Sequence, residues 1–159
     1  MSLVFEELDY QETPLGDISL RRRSEPRLDG EILYEVKLND DFLMSSLFTE
    51  AEVQLARLGI AALKDHKQNL DIVVGGLGLG YTAVAVLEDP SVKSLRVIDI
   101  MAPVIDWHQR GLVPLGEKLT SDPRCSIVHA DFFEVATSSG GFDPADPDRL
   151  VHAVLLDID

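Results

Sequence analysis

The chain has 159 residues, 45% of them apolar, the usual size of one domain, or of one with a small appendage, and enough for a real core. Its 14 Lys and Arg against 28 Asp and Glu leave a net charge of −14, which would repel phosphate backbones and argues against nucleic acid as a partner. The single cysteine, Cys125, cannot form an internal disulfide, and no basic-then-apolar leader opens the sequence, so a cytoplasmic location is expected.

In chain order, residues 17–46 are strand-like: "DISLRRR", the turn-prone "SEPRLDG", then "EILYEVKLNDDFLMSS" with partial alternation. This predicts a small antiparallel appendage over residues 1–47, followed by a nucleotide-binding domain over residues 48–159. Thr49 and Glu52 have capping-box spacing, with Phe48 and Val53 placed as a hydrophobic staple, so a helix is predicted next, with Val53, Ala56, Leu58, Ile60 and Leu63 on its apolar face. Beyond Asn69, short apolar strands alternate with helical stretches: "LDIVVG", "SLRVIDI", "CSIVHA" and "VHAVLLDID". That rhythm predicts an α/β fold with a Rossmann-like parallel sheet joined by crossover helices at residues 79–88 and 103–110. Residues 137–148 read as an acidic loop. The apolar run 72–87 is too short and too glycine-broken for a membrane span, so no membrane is expected.

The segment "VVGGLGLGYTAV" places Gly75, Gly76, Gly78 and Gly80 where the first parallel strand gives way to its helix. In an open α/β sheet that turn borders the ligand crevice, where a side chain would block a nucleotide. Residues 78–83 also match the dinucleotide pattern G-x-G-x-x-A, with Asp99 ~20 residues on. Strand character ends at Val74, however, so the turn starts at Gly75 or Gly76 and reads G-G-x-G-x-G, which favours a single nucleoside over a dinucleotide. Purely structural packing is the plain alternative for these glycines. Asp99 closes "LRVIDI" and could accept hydrogen bonds from both ribose hydroxyls. Asp131 follows "SIVHA" and could accept from an adenine amino group, with Phe132 or Ile100 packed on the ring; equally, it could cap the helix that follows. Trp107 is expected to be packed and His108 to lie on the surface. The spacing of the histidines and Cys125 fits no metal site, so no metal is predicted.

With "VVGGLGLG", "VIDI", "DPRCSIVHADFF" and the terminal "VLLDID", the chain resembles the spermidine synthase-like branch of the class I S-adenosylmethionine-dependent superfamily. The resemblance implies a small β-domain before the nucleotide-binding domain, and S-adenosylmethionine or its decarboxylated form as substrate, with an amine, such as a polyamine, as acceptor. It also implies that Asp157 stands where the family's catalytic aspartate does. Three features depart from the family. Gly78 occupies the place of an aspartate that binds the amine of the aminopropyl group, "FLMSS" lacks the ionisable residues of its family counterpart, and D-x-x-D-P is replaced by Asp157-Ile158-Asp159. Class I folds carry strands beyond the fourth, so the C-terminal strands are expected to be missing from a fragment; otherwise a partner such as a second copy covers the sheet edge. A methyltransferase, an NAD-dependent oxidoreductase and a non-catalytic nucleoside-binding or assembly module remain as alternative functions.

Overall fold

In the computed structural model, residues 4–63 and 68–158 are described; Asp159 and the first three residues lie outside them. The chain divides into two compact units between Thr49 and Glu50.

The first unit is a four-stranded antiparallel meander in the order β1-β2-β3-β4, with β1 at Phe5–Thr13, β2 at Gly16–Glu25, β3 at Glu31–Leu38 and β4 at Asp41–Ser45. The sequence reading missed β1, whose six polar residues out of nine leave no apolar alternation to follow. It also ran β3 and β4 together, although Asn39, at φ +54°, makes the left-handed turn that Asn tolerates better than most residues. Alternation along β2 and β3 sorts the side chains by face. Ile18, Leu20 and Val36 are buried on one face, and Arg21 stands directly opposite Glu35 on the other.

The second unit opens with α1 (Glu50–Ala61) and continues through β5 (Leu70–Gly75), α2 (Tyr81–Leu87), β6 (Val92–Asp99), α3 (Ala102–Gln109), α4 (Gly116–Ser121), β7 (Cys125–His129), α5 (Phe132–Thr137) and β8 (Ala153–Leu156). The four strands are all parallel in the order β7-β6-β5-β8, so the expected α/β fold and the separate antiparallel sheet are both present. Central β5 buries Ile72, Val73 and Val74 on both of its faces, and every residue of α2 from Thr82 to Leu87 is buried. This double burial explains why the stretch carries no charge after Asp71. Each fully buried Val or Leu there contributes about 1.5–3 kcal/mol.

One helix face and one helix start differ from the expected ones. Leu58, placed on the apolar face of α1, is 67% exposed, and the residues turned inward are Ala56 and Gly59. A Cβ on Gly59 would lie 2.5 Å from Leu155 of β8, so close approach rather than a large apolar side chain defines this contact. Phe48 is 80% exposed and closes no staple. Helix α2 starts two residues later than expected because Gly78 and Gly80 hold φ of +51° and +93°, outside helical geometry.

Candidate functional site

All four parallel strands run the same way, so the glycine turn after β5, Asp99 at the end of β6, Asp131 after β7 and Asp157 after β8 lie along one edge of the sheet. This is the edge where open α/β sheets bind ligands. Two backbone hydrogen bonds and one to a carboxylate tie three of the four together. Gly76 N–H donates to Ile98 O, Asp157 N–H donates to Gly75 O, and the Leu77 amide donates to Asp99 Oδ2 at 2.7 Å.

The glycines are needed by the protein itself. Gly76 has φ +96°, and a Cβ there would sit 1.8 Å from the Asp157 carbonyl oxygen. Both the dihedral and the clash forbid a side chain, at a cost of about 3 kcal/mol or more. On Gly75 a Cβ would meet Phe132 Cδ2 at 2.8 Å, and on Gly80 it would meet Leu119 Cδ1 at 2.8 Å and His108 Nε2 at 3.1 Å. Packing therefore explains three of the four glycines without a ligand, which was the plain alternative for them. The same packing brings the turn against Asp157.

Asp99 uses one carboxylate oxygen for the turn and the other for its own strand end, where Oδ1 accepts from the Met101 amide at 2.7 Å. Each oxygen keeps a second lone pair, so two ribose hydroxyls remain within its capacity. Asp131 caps α5, its Oδ1 accepting from the Phe133 and Glu134 amides at 2.8 and 3.2 Å, which leaves Oδ2 outside the cap. The two apolar candidates for the base separate clearly. Phe132 is buried among Val73, Ile98 and Phe142, with its ring stacked on Phe142, so it is a core residue, whereas Ile100 is 45% exposed at the edge. The Ile100 carbonyl accepts from His129 Nε2 at 3.0 Å, linking the ends of β6 and β7.

Asp157 is half-buried, and its Oδ2 accepts from the Thr82 hydroxyl at 2.7 Å. Sequence reasoning did not find Thr82. It lies 75 residues from Asp157 inside an apolar helix, and nothing local marks it. Asp159 lies outside the described residues.

His108, expected on the surface, is fully buried beside Trp107. Its Nδ1–H donates to the Val104 carbonyl at 2.9 Å, while Nε2 has no hydrogen-bond partner. Burial pushes this imidazole below its ordinary pKa, against the opposing pull of the Val104 and Leu79 carbonyls and the Asp99 charge. Only the protonated ring could donate to Leu79, so the neutral ring leaves Nε2 bare beneath Gly80. Cys125 is inert for a similar reason, since burial raises its thiol to about 11. Among the described residues, no three His, Cys, Asp or Glu side chains gather as a metal site would require, and no helix is long and apolar enough to cross a membrane.

No family model matches the chain. A polyamine aminopropyltransferase from Pyrobaculum neutrophilum is 29% identical over 105 residues, 66% of this chain and 36% of that protein. A spermidine synthase in complex with the transition state analogue AdoDATO superposes with a TM-score of 0.68 at 17% identity, over 96% of this chain and 46% of the other. Spermidine synthase from Thermotoga maritima gives a TM-score of 0.68 at 17% identity, over 95% and 48%. The chain thus spans about a third of the aminopropyltransferase and just under half of the two synthases. These matches bear out, in fold and in one curated relative, the motif-level resemblance of this chain to the spermidine synthase-like branch of the class I S-adenosylmethionine-dependent superfamily.

Proposed function

We propose that this chain is the nucleoside-binding part of a spermidine synthase-like transferase whose ligand is S-adenosylmethionine or its decarboxylated form. One observation carries the reading: among the described residues, Asp99, Asp131 and Asp157 stand along the carboxyl edge of the sheet with no Lys or Arg paired to any of them. Unneutralised carboxylates beside a glycine turn suit a nucleoside carrying a sulfonium cation, and an amine that must lose a proton. In the reaction the amine nitrogen attacks the carbon bound to sulfur. A nitrogen–carbon bond forms, the carbon–sulfur bond breaks with its pair returning to sulfur as a neutral thioether, and the amine proton passes to Asp157. Asp99 takes the ribose, Asp131 and Ile100 flank the base, and the backbone of Gly78, the one glycine of the turn that packing does not account for, allows close approach.

Gly78 favours a second reading, that of a methyltransferase. An ammonium group near Gly78 finds no carboxylate there, and a cation desolvated without a partner is costly. Transfer to putrescine from decarboxylated S-adenosylmethionine should therefore be weak. Its left-handed φ of +51° is one that Asp adopts with less strain than most residues, so Gly78→Asp should raise that transfer. Titration calorimetry with methylthioadenosine, S-adenosylmethionine and NAD, followed by mass spectrometry of the transfer product, tests the reading. Methylthioadenosine or S-adenosylmethionine should bind more tightly than NAD. Binding of NAD alone would move the protein to the oxidoreductases, and no binding of any of the three would leave an assembly role.

A further inference from the structure

We infer that Thr82 is a positioning residue for Asp157, a role that rests on the proposed function of Asp157 as the group that receives the amine proton. Thr82 is 2% exposed in the first turn of α2, and its Oγ1 lies 2.7 Å from Asp157 Oδ2 and 3.3 Å from the Glu52 carbonyl. A hydroxyl has one hydrogen to give. The shorter contact, to a charged acceptor, takes it, because charge-assisted hydrogen bonds are shorter and about twice as strong as neutral ones.

The remaining restraints on Asp157 come from its backbone. Its N–H is bound to Gly75 O, and its carbonyl fills the space beside Gly76. These fix the Cα, while Thr82 alone among the described residues holds the carboxylate by a hydrogen bond. With Oδ2 held by a buried hydroxyl that has no room to follow it, the plane of the carboxylate is set and Oδ1 is the oxygen left for the amine. A loose carboxylate would still attract a cation, but it would not hold the attacking nitrogen in line with the carbon–sulfur bond. The effect therefore belongs to kcat rather than to nucleoside affinity.

Two variants separate this role from packing. Thr82→Val keeps the shape and loses the hydrogen; Thr82→Ser keeps the hydrogen and loses a methyl. In unliganded protein, the Asp157 side-chain carboxyl carbon is followed by carbon-detected NMR, its resonance assigned by its loss in Asp157→Asn. That signal should move in Thr82→Val and return towards its wild-type position in Thr82→Ser. In the transfer assay, Thr82→Val should lower kcat on the order of tenfold with KM for the nucleoside substrate little changed, and Thr82→Ser should restore most of it. An unmoved carboxyl resonance in Thr82→Val, or a kcat equal to wild type, overturns the inference. Wild-type protein that binds neither methylthioadenosine nor S-adenosylmethionine overturns the proposed function instead, and the NMR comparison still reports whether the hydrogen bond orients the carboxylate.

Discussion

Glu35 in the antiparallel sheet and Asp99 at the end of β6 are both carboxylates drawn partly out of water, yet they are compensated by different chemistry. Glu35, 4% exposed, receives Arg21 at 2.7 Å and Arg23 at 2.9 Å, and the Arg21 guanidinium also lies over the rings of Phe5 and Phe42 at 5.5 and 4.8 Å. Its charge is cancelled where it stands. Asp99 receives only backbone amides, from Leu77 and Met101, as Asp131 receives those of Phe133 and Glu134. Amide dipoles orient a carboxylate and lessen its desolvation cost without neutralising it. The first arrangement builds a sheet; the second leaves negative charge at an edge where a cationic ligand could meet it.

The contrast predicts its largest effect at Glu35. Glu35→Gln should cost about 3 kcal/mol in urea unfolding, because the acid shared by two partly buried arginines is lost at a position 4% exposed, and only Arg23 keeps another carboxylate, Glu25. A loss under about 1 kcal/mol would show this cluster to be a solvated surface network, and the comparison would fail on that side. Asp99→Ala comes next. It orphans the Leu77 and Met101 amides, at about 1–3 kcal/mol for each that stays buried, and should also weaken methylthioadenosine binding by about 1.5–3 kcal/mol. Lost stability with unchanged affinity would make Asp99 a brace for the turn and nothing more.

The buried His108 extends the comparison to pH. Burial lowers its folded pKa below that of the unfolded chain, so the unfolded state takes up the proton first as the solution is acidified. Its contribution to stability is complete above the unfolded value near 6.5 and is lost as pH falls from there towards the folded value, at up to about 1.4 kcal/mol per pH unit. Thermal unfolding from pH 7.5 down to 5 should show this slope in wild type and a shallower one in His108→Gln. Lowered carboxylates such as Asp143, held down chiefly by the Ala145 amide, act only in more acid solution, below the ordinary carboxylate pKa. An equal slope in both proteins would remove His108 as its source.

The parts of this molecule legible in the sequence were those written locally. The glycine run, the apolar strands and the acids that end them sit within a few residues of each other, and strand period and strand-end position are enough to read them. What the sequence hid depends on distant partners. Gly59 matters because Leu155 approaches it, and a search for large apolar residues picked Leu58 on the wrong side of the helix. His108 reads as a polar residue near a helix end, and its burial follows from the close approach of Gly80 to its ring and of Gly116 to its backbone. Helix α4, six residues with only Leu119 as a large buried side chain, has too little periodicity to announce itself. Phe132 was set against the base because it follows Asp131, but a residue one step into the helix turns inward, under Gly75.

Asp157 should give the smallest effect on stability, and for that reason the sharpest test of the contrast. Asp157→Asn keeps an oxygen that can accept from Thr82, and the backbone bond to Gly75 O is untouched, so the folded contacts survive. No arginine or lysine among the described residues loses a partner, and one negative charge leaves a chain at −14. Unfolding free energy should change by less than about 1 kcal/mol in either direction. Methylthioadenosine is uncharged at sulfur and its affinity should hold, since nothing in it needs the carboxylate. Transfer to an amine should fall by roughly a hundredfold or more, the usual size of a general-base contribution. Calorimetry, urea unfolding and product mass spectrometry on one protein preparation separate the three quantities. A drop in stability comparable to that of Glu35→Gln would mean that Asp157 is a structural tie between β8 and α2. The strand-end acids would then divide into braces and site residues, and Asp157 would join the braces.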